Sequence, residues 1–114
     1  MPVELTGPSG TAVVRFALDT GATSTLVNVG VLVSVGYDPA LVSERVQVTT
    51  GSGVAFAPRV PLKRILALEQ VRNDFHVLAH TLPPTAGIDG LLGLDFVRGQ
   101  VLTVDFQKAV VALA

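Results

Sequence analysis

Asp19, Thr20, Gly21 and Ala22 close an apolar run that contains Val13, Val14, Phe16 and Leu18. A carboxylate held at the end of a buried strand can take a proton from a reacting group or give one to it. The same tripeptide has a plainer use, because Asp and Gly favour turns for local reasons. Three further acids, Asp89, Asp95 and Asp105, lack the Thr-Gly context and read as structural. Asp95 is placed to cap or open a helix, Asp105 lies beside a turn, and Asp89, between Ile88 and Gly90, is the one of the three placed to approach the Asp19 site. His76 and His80 are four apart, a spacing that on a helix would put both on one face as in a metal site. Their segment reads as strand and then loop, and no carboxylate motif accompanies them, so no metal site is expected.

A second pattern stands late in the chain, Gly90-Leu91-Leu92-Gly93-Leu94-Asp95-Phe96-Val97. Gly93 would let a strand pass close beside the Asp19 loop. Asp19-Thr20-Gly21-Ala22 resembles the active-site motif of aspartic peptidases, and Leu91-Leu92-Gly93 resembles the second element of one of their lobes. The order of the two, with a glycine-containing hairpin between them, is similar to the retropepsin-like aspartic peptidases over nearly the whole chain. The wording of residues 88–96 is closer to the bacterial members than to the viral enzymes.

That resemblance implies a specific chemistry. Two carboxyl groups about 3 Å apart cannot both ionise, as in aspartic proteases generally, so the pair shares one proton. The ionised partner acts as general base on a bound water, and the protonated partner donates to the substrate carbonyl. The chain carries the motif once, so the second carboxyl group is expected from a second copy: Asp19 of each chain, meeting on a two-fold axis. Thr20 is expected to bond across to the partner motif, Gly21 to allow the turn, and Ala22 to keep the floor of the site small. Residues Thr49, Thr50, Gly51, Ser52 and Gly53 would tip a flap that closes over a bound peptide. Val31, Val54, Phe56 and Leu82 are candidates for pocket walls. No metal or organic cofactor is implied.

One departure concerns charge. Viral members often carry an acid two residues after the motif's Gly, paired with an Arg just after the second motif's Gly. Those positions are Thr23 and Leu94 here. Both partners are absent together, which leaves no unpaired buried charge.

The elements that must hold these residues follow from the rest of the chain. Residues 3–5 and 11–18 read as a hairpin about Gly7-Pro8-Ser9-Gly10, and residues 24–27 as a strand after the loop. Residues 28–35 are valine-rich, but Asn28 suits an N-cap and Gly36 a C′ position, and the resemblance adds a short helix there. Residues 46–60 alternate as a second hairpin, with Pro58 and Pro61 confining its outgoing arm to an edge or an end. Strands are expected at 62–68 and 75–79 with a loop over 70–74, a rigid loop at 81–87, a short helix at 95–98, and a closing hairpin from 101–106 and 109–113. The fold class is therefore mostly β: one retropepsin-like lobe over residues 1–114, closed and barrel-like, with one or two short helices, forming a two-fold homodimer.

Composition sets the limits. With 114 residues the chain is expected to be one domain with a modest core. Yet 49% of it is hydrophobic and only 15% charged, an excess that an apolar dimer interface would use. A net charge of −1 gives no footprint for nucleic acid. The absence of cysteine excludes disulfides and thiolate metal sites. The first residues lack a basic and then apolar leader. The uncharged run over 20–37 is broken by Thr, Ser, Asn and Gly, so neither a membrane span nor membrane contact is expected. These features favour a soluble, cytoplasmic domain. The reading is an aspartic endopeptidase acting on extended peptides. The alternatives are a non-catalytic module of the same fold, for dimerisation or peptide capture, and an unrelated small barrel with a chance Asp-Thr-Gly.

Overall fold

A computed structural model describes residues 1–50 and 53–114, with only the backbone of Thr49 and Thr50. Nine strands, two short α-helices and two 3₁₀ turns are found among the described residues. The strands are β1 (Pro2–Gly7), β2 (Gly10–Leu18), β3 (Leu26–Val27), β4 (Arg45–Thr50), β5 (Gly53–Ala67), β6 (Gln70–Ala79), β7 (Gly90–Leu92), β8 (Leu102–Asp105) and β9 (Val110–Leu113). The helices are α1 (Val29–Ser34) and α2 (Leu94–Val97).

Six strands close a barrel in the order β1-β2-β7-β3-β6-β5, and β5 returns to β1 through Glu4↔Leu66, Leu5↔Ile65 and Thr6↔Arg64. The expected mostly-β, closed lobe is thus found. Closure leaves the barrel without a free sheet edge. Its filling follows the period-two rule: Val3 and Leu5 from β1, Phe16 from β2, Val60 and Leu62 from β5, and Val77 and Ala79 from β6 all point inward. Leu32 of α1, Phe96 of α2 and Leu113 of β9 cover the barrel and complete the core. The hairpin of β8 and β9 forms its own two-stranded sheet.

The first hairpin and the helix after the loop form as the sequence indicates. In α1, valine's strand preference is overridden by tertiary contacts. The Asn28 carbonyl accepts from Val31 and Leu32, and Leu32 is fully buried. Asn28 makes no side-chain cap; its N–H donates instead to the Asp89 carbonyl at 2.8 Å.

Two expectations are corrected. Residues 70–74 are not a loop: β6 begins at Gln70, and the connection is the two-residue turn Leu68-Glu69, whose φ values are 51° and 63°. Both positive angles suit a tight hairpin turn, but neither residue advertises one. The polar letters of 70–74 belong to a strand end with exposed residues on both faces, and there the half-buried Arg72 lays its guanidinium 4.7 Å over the Phe96 ring while donating to the Phe96 carbonyl and to Gln100. Pro58 and Pro61 stand where β5 has a neighbour on one side only, the expected edge position: Pro58 pairs with β4 and Pro61 with β6. β5 runs for 15 residues and changes partners at this point, leaving β4 after Pro58 and meeting β1 only at Arg64. Residues 24–27 are strand only at Leu26–Val27.

Candidate active site

Asp19 stands at the end of β2, where β7 runs parallel to it through Phe16↔Gly90, Ala17↔Leu91 and Leu18↔Leu92. Its N–H donates to the Leu92 carbonyl at 2.9 Å, which continues that ladder by one residue. Its carbonyl accepts from Ala22, and its carboxylate Oδ1 accepts from the Gly21 N–H at 3.0 Å. The loop therefore folds back on its own acid, and a backbone dipole is aimed at the carboxylate. A Cβ at Gly21 would stand 3.2 Å from Asp19 Oδ1. Gly21 thus leaves room for the carboxylate itself rather than for an unusual backbone angle. Thr20 is exposed, and Asp19 and Ala22 are half-buried.

The two motifs are stitched together. Leu94 N–H donates to the Ala22 carbonyl at 2.9 Å, and Asp95 N–H to the Thr23 carbonyl at 3.2 Å. Gly93 permits this approach: a Cβ there would lie 2.7 Å from the Ser24 carbonyl carbon and 2.8 Å from its oxygen. Thr25, fully buried, completes the junction. Its hydroxyl donates to Asp95 Oδ1 at 2.7 Å and accepts from the Gly93 N–H at 3.1 Å, while its own N–H donates to Asp95 Oδ2 at 3.0 Å. A buried hydroxyl with both its proton and a lone pair used, beside a carboxylate with both oxygens used, is a fully satisfied network. It fixes the far end of the loop that carries Asp19.

A cleft of about 490 Å³ opens on Asp19. Its floor is the loop from Gly21 to Ser24, and Leu26, Leu78 and Leu91 come from the barrel. Val46, Gln47 and Val48 of β4 form the facing wall, and His80 lies just past the end of β6. Leu26 faces both Leu78 and Leu91 across the sheet, so the apolar base is set by strand register. Asp19 is the only carboxylate among the described residues lining it. Val31, Val54, Phe56 and Leu82 are not among these liners. Val31 instead packs against the core, and Val54 and Phe56 are exposed.

The remaining candidates divide cleanly. Asp89 is a brace: its Oδ2 accepts from Arg15 N–H at 3.0 Å, and its N–H donates to the Arg15 carbonyl at 2.7 Å. Asp105 accepts from Gln107 and Lys108 N–H in the last turn. Asp95 does sit in the first turn of α2, but its carboxylate serves Thr25. His76 is exposed on β6, and no cluster of three metal-ligating side chains occurs among the described residues. Gly51 and Ser52 of the expected flap tip lie outside the described residues; around them β4 and β5 pair from Arg45↔Pro58 out to Thr50↔Gly53. No helix among the described residues is long and apolar enough to cross a membrane.

Thr25 and Gln47 are the site residues that the sequence reading passed over, and His80, weighed there only as a metal ligand, is found lining the cleft instead. Thr25 had one available signal, a hydroxyl just before an apolar pair close to the Asp-Thr-Gly loop, answered by an acid two residues after Gly93.

The barrel and the stitched double motif define an aspartic-protease lobe, and sequence comparison agrees. The Aspartyl protease family model matches residues 1–96, and the chain belongs to that family. Two solved structures share the fold. A retropepsin-like aspartic protease from Rickettsia conorii superposes with a TM-score of 0.65 at 14% identity, covering 92% of this chain and 74% of that one. The retroviral protease-like domain of Ddi1 from Leishmania major gives 0.66 at 18% identity, covering 98% and 84%. Among curated proteins, none gave a significant match.

Proposed function

We propose that the chain is an aspartic endopeptidase whose residues 1–114 act as one lobe of a homodimer, with Asp19 of each copy supplying half of the catalytic pair. The observation that carries this reading is the setting of Asp19: an intact Asp-Thr-Gly loop, anchored to the second motif, opening on a cleft with no other carboxylate among the described residues. One ionised Asp19 would take a proton from water as the water oxygen attacks the peptide carbonyl. Its protonated partner would donate to the carbonyl oxygen. Collapse of the tetrahedral intermediate would break the C–N bond, with a proton passing to the departing amine.

An extended peptide suits the cleft, since the Asp19 loop and β4 offer backbone on two sides for strand-like hydrogen bonds. The hairpin tip at 49–53 would close over it. Apolar side chains left exposed on the terminal hairpin, Val104 at 43%, Val110 at 49% and Phe106 at 91%, support association with a second copy. A second reading, a non-catalytic module for dimerisation or peptide capture, draws on the single carboxylate that each chain provides.

The test is digestion of a mixed peptide library from mildly acidic to neutral pH, with products read by mass spectrometry. Wild type is expected to cleave, and Asp19→Asn to lose cleavage by at least about a hundredfold. Equal cleavage by both proteins would sink the mechanism, and cleavage by neither would favour the binding module.

A further inference from the structure

One group in the cleft has no part in the hydrolytic chemistry. His80 follows directly on β6, and its backbone N–H is tied to the Val27 carbonyl at 3.0 Å, so the root of its side chain is fixed against β3. The residue is half-buried and lines the cleft that holds Asp19. Among the described residues its ring makes no hydrogen bond or ion pair. An imidazole carries hydrogen-bonding capacity on both ring nitrogens, and at a residue lining the cleft that capacity is left for a bound molecule.

The surroundings narrow what it would meet. Among the described residues, the other hydrogen-bonding side chains lining the cleft, apart from Asp19, are Thr23, Ser24 and Gln47, each able to donate, and no Lys or Arg lines it. The rest of the wall is aliphatic. A substrate side chain ending in a carboxylate or carboxamide brings oxygen acceptors to these donors. An aliphatic side chain of the same length would cover the ring and leave it unpaired, and sites that hydrogen-bond a substrate group discriminate strongly against analogues that lack it.

We propose that His80 is a specificity-determining residue, selecting peptides that present a Glu, Gln, Asp or Asn side chain to this wall by donating a hydrogen bond to its oxygen. The inference rests on the peptidase reading for its substrate class, and its test is arranged so that binding is read apart from turnover. Fluorogenic octapeptides carrying Glu, Gln, Met or Leu at one position at a time are assayed with wild type, His80→Leu and His80→Gln. The same peptides are bound to Asp19→Asn and to Asp19→Asn with His80→Leu, and followed by fluorescence anisotropy. At one position, Gln and Glu should be favoured over Met by about tenfold, mostly in KM. His80→Leu should reduce that ratio to about one, while His80→Gln, which still donates, keeps most of it. A preference that binds and disappears with His80→Leu, in a protein that cleaves nothing, supports this inference while the hydrolytic reading falls. Cleavage with a ratio unmoved by His80→Leu overturns the inference and leaves hydrolysis intact. Absence of both cleavage and peptide binding overturns it as well.

Discussion

Asp19 owes its setting to the backbone around it and to a buried junction behind its loop. Its N–H and carbonyl are committed to Leu92 and Ala22, and its carboxylate is steered by the Gly21 N–H. Thr25 holds the other end of the loop through Gly93 and Asp95. Thr25→Val keeps the shape of the side chain but strands the Gly93 N–H and one Asp95 oxygen. It should lower stability by about 1–3 kcal/mol in urea unfolding, with Thr25→Ser recovering most of the loss. A Thr25→Val protein as stable as wild type would show that the junction does not anchor the loop. Asp19 and Gly93 were legible in the sequence because each sits in a short motif with its own local logic. The Thr25–Asp95 pair was not, because its partners are 70 residues apart and meet only after the barrel closes.

At the scale of elements, β7 is the strand on which the site depends, lying between β2 and β3 and leading into Gly93. Gly93→Ala would drive a methyl group into the Ser24 backbone, which has no flexible side chain to yield. A loss of about 1–3 kcal/mol is expected in thermal or urea unfolding, together with reduced cleavage, because the displaced segment carries the Asp19 loop. The turn between β5 and β6 makes the opposite case. Glu69 holds φ 63° without the freedom of a glycine, so Glu69→Gly should raise stability by about 0.5–1 kcal/mol, measured in the same way. Hairpins with recognisable turns, such as the one at Pro8-Ser9, could be read from sequence. This one could not, because Leu68 and Glu69 adopt left-handed angles that their identities disfavour. The polar run after them looked like a loop when it was the exposed first half of a strand, with Arg72 clamping α2.

For the molecule as a whole, period-two patterning made the mostly-β architecture legible, while closure through β1 and β5 depends on a pairing 60 residues apart that no local pattern encodes. The excess of apolar residues read from composition reappears as exposed aliphatic and aromatic side chains, among them Val101 and Phe106. A second copy would give that surface a partner and give Asp19 its missing neighbour. The most direct measurement is titration of Asp19→Asn protein into wild type at fixed total chain concentration, with peptide cleavage as the readout. If the pair forms between chains that exchange freely, an equal mixture retains about one quarter of the activity of all-wild-type protein, because only that share of dimers carries two Asp19 residues. A linear fall to about one half would mean that each chain works with its own Asp19 alone, and would contradict the account.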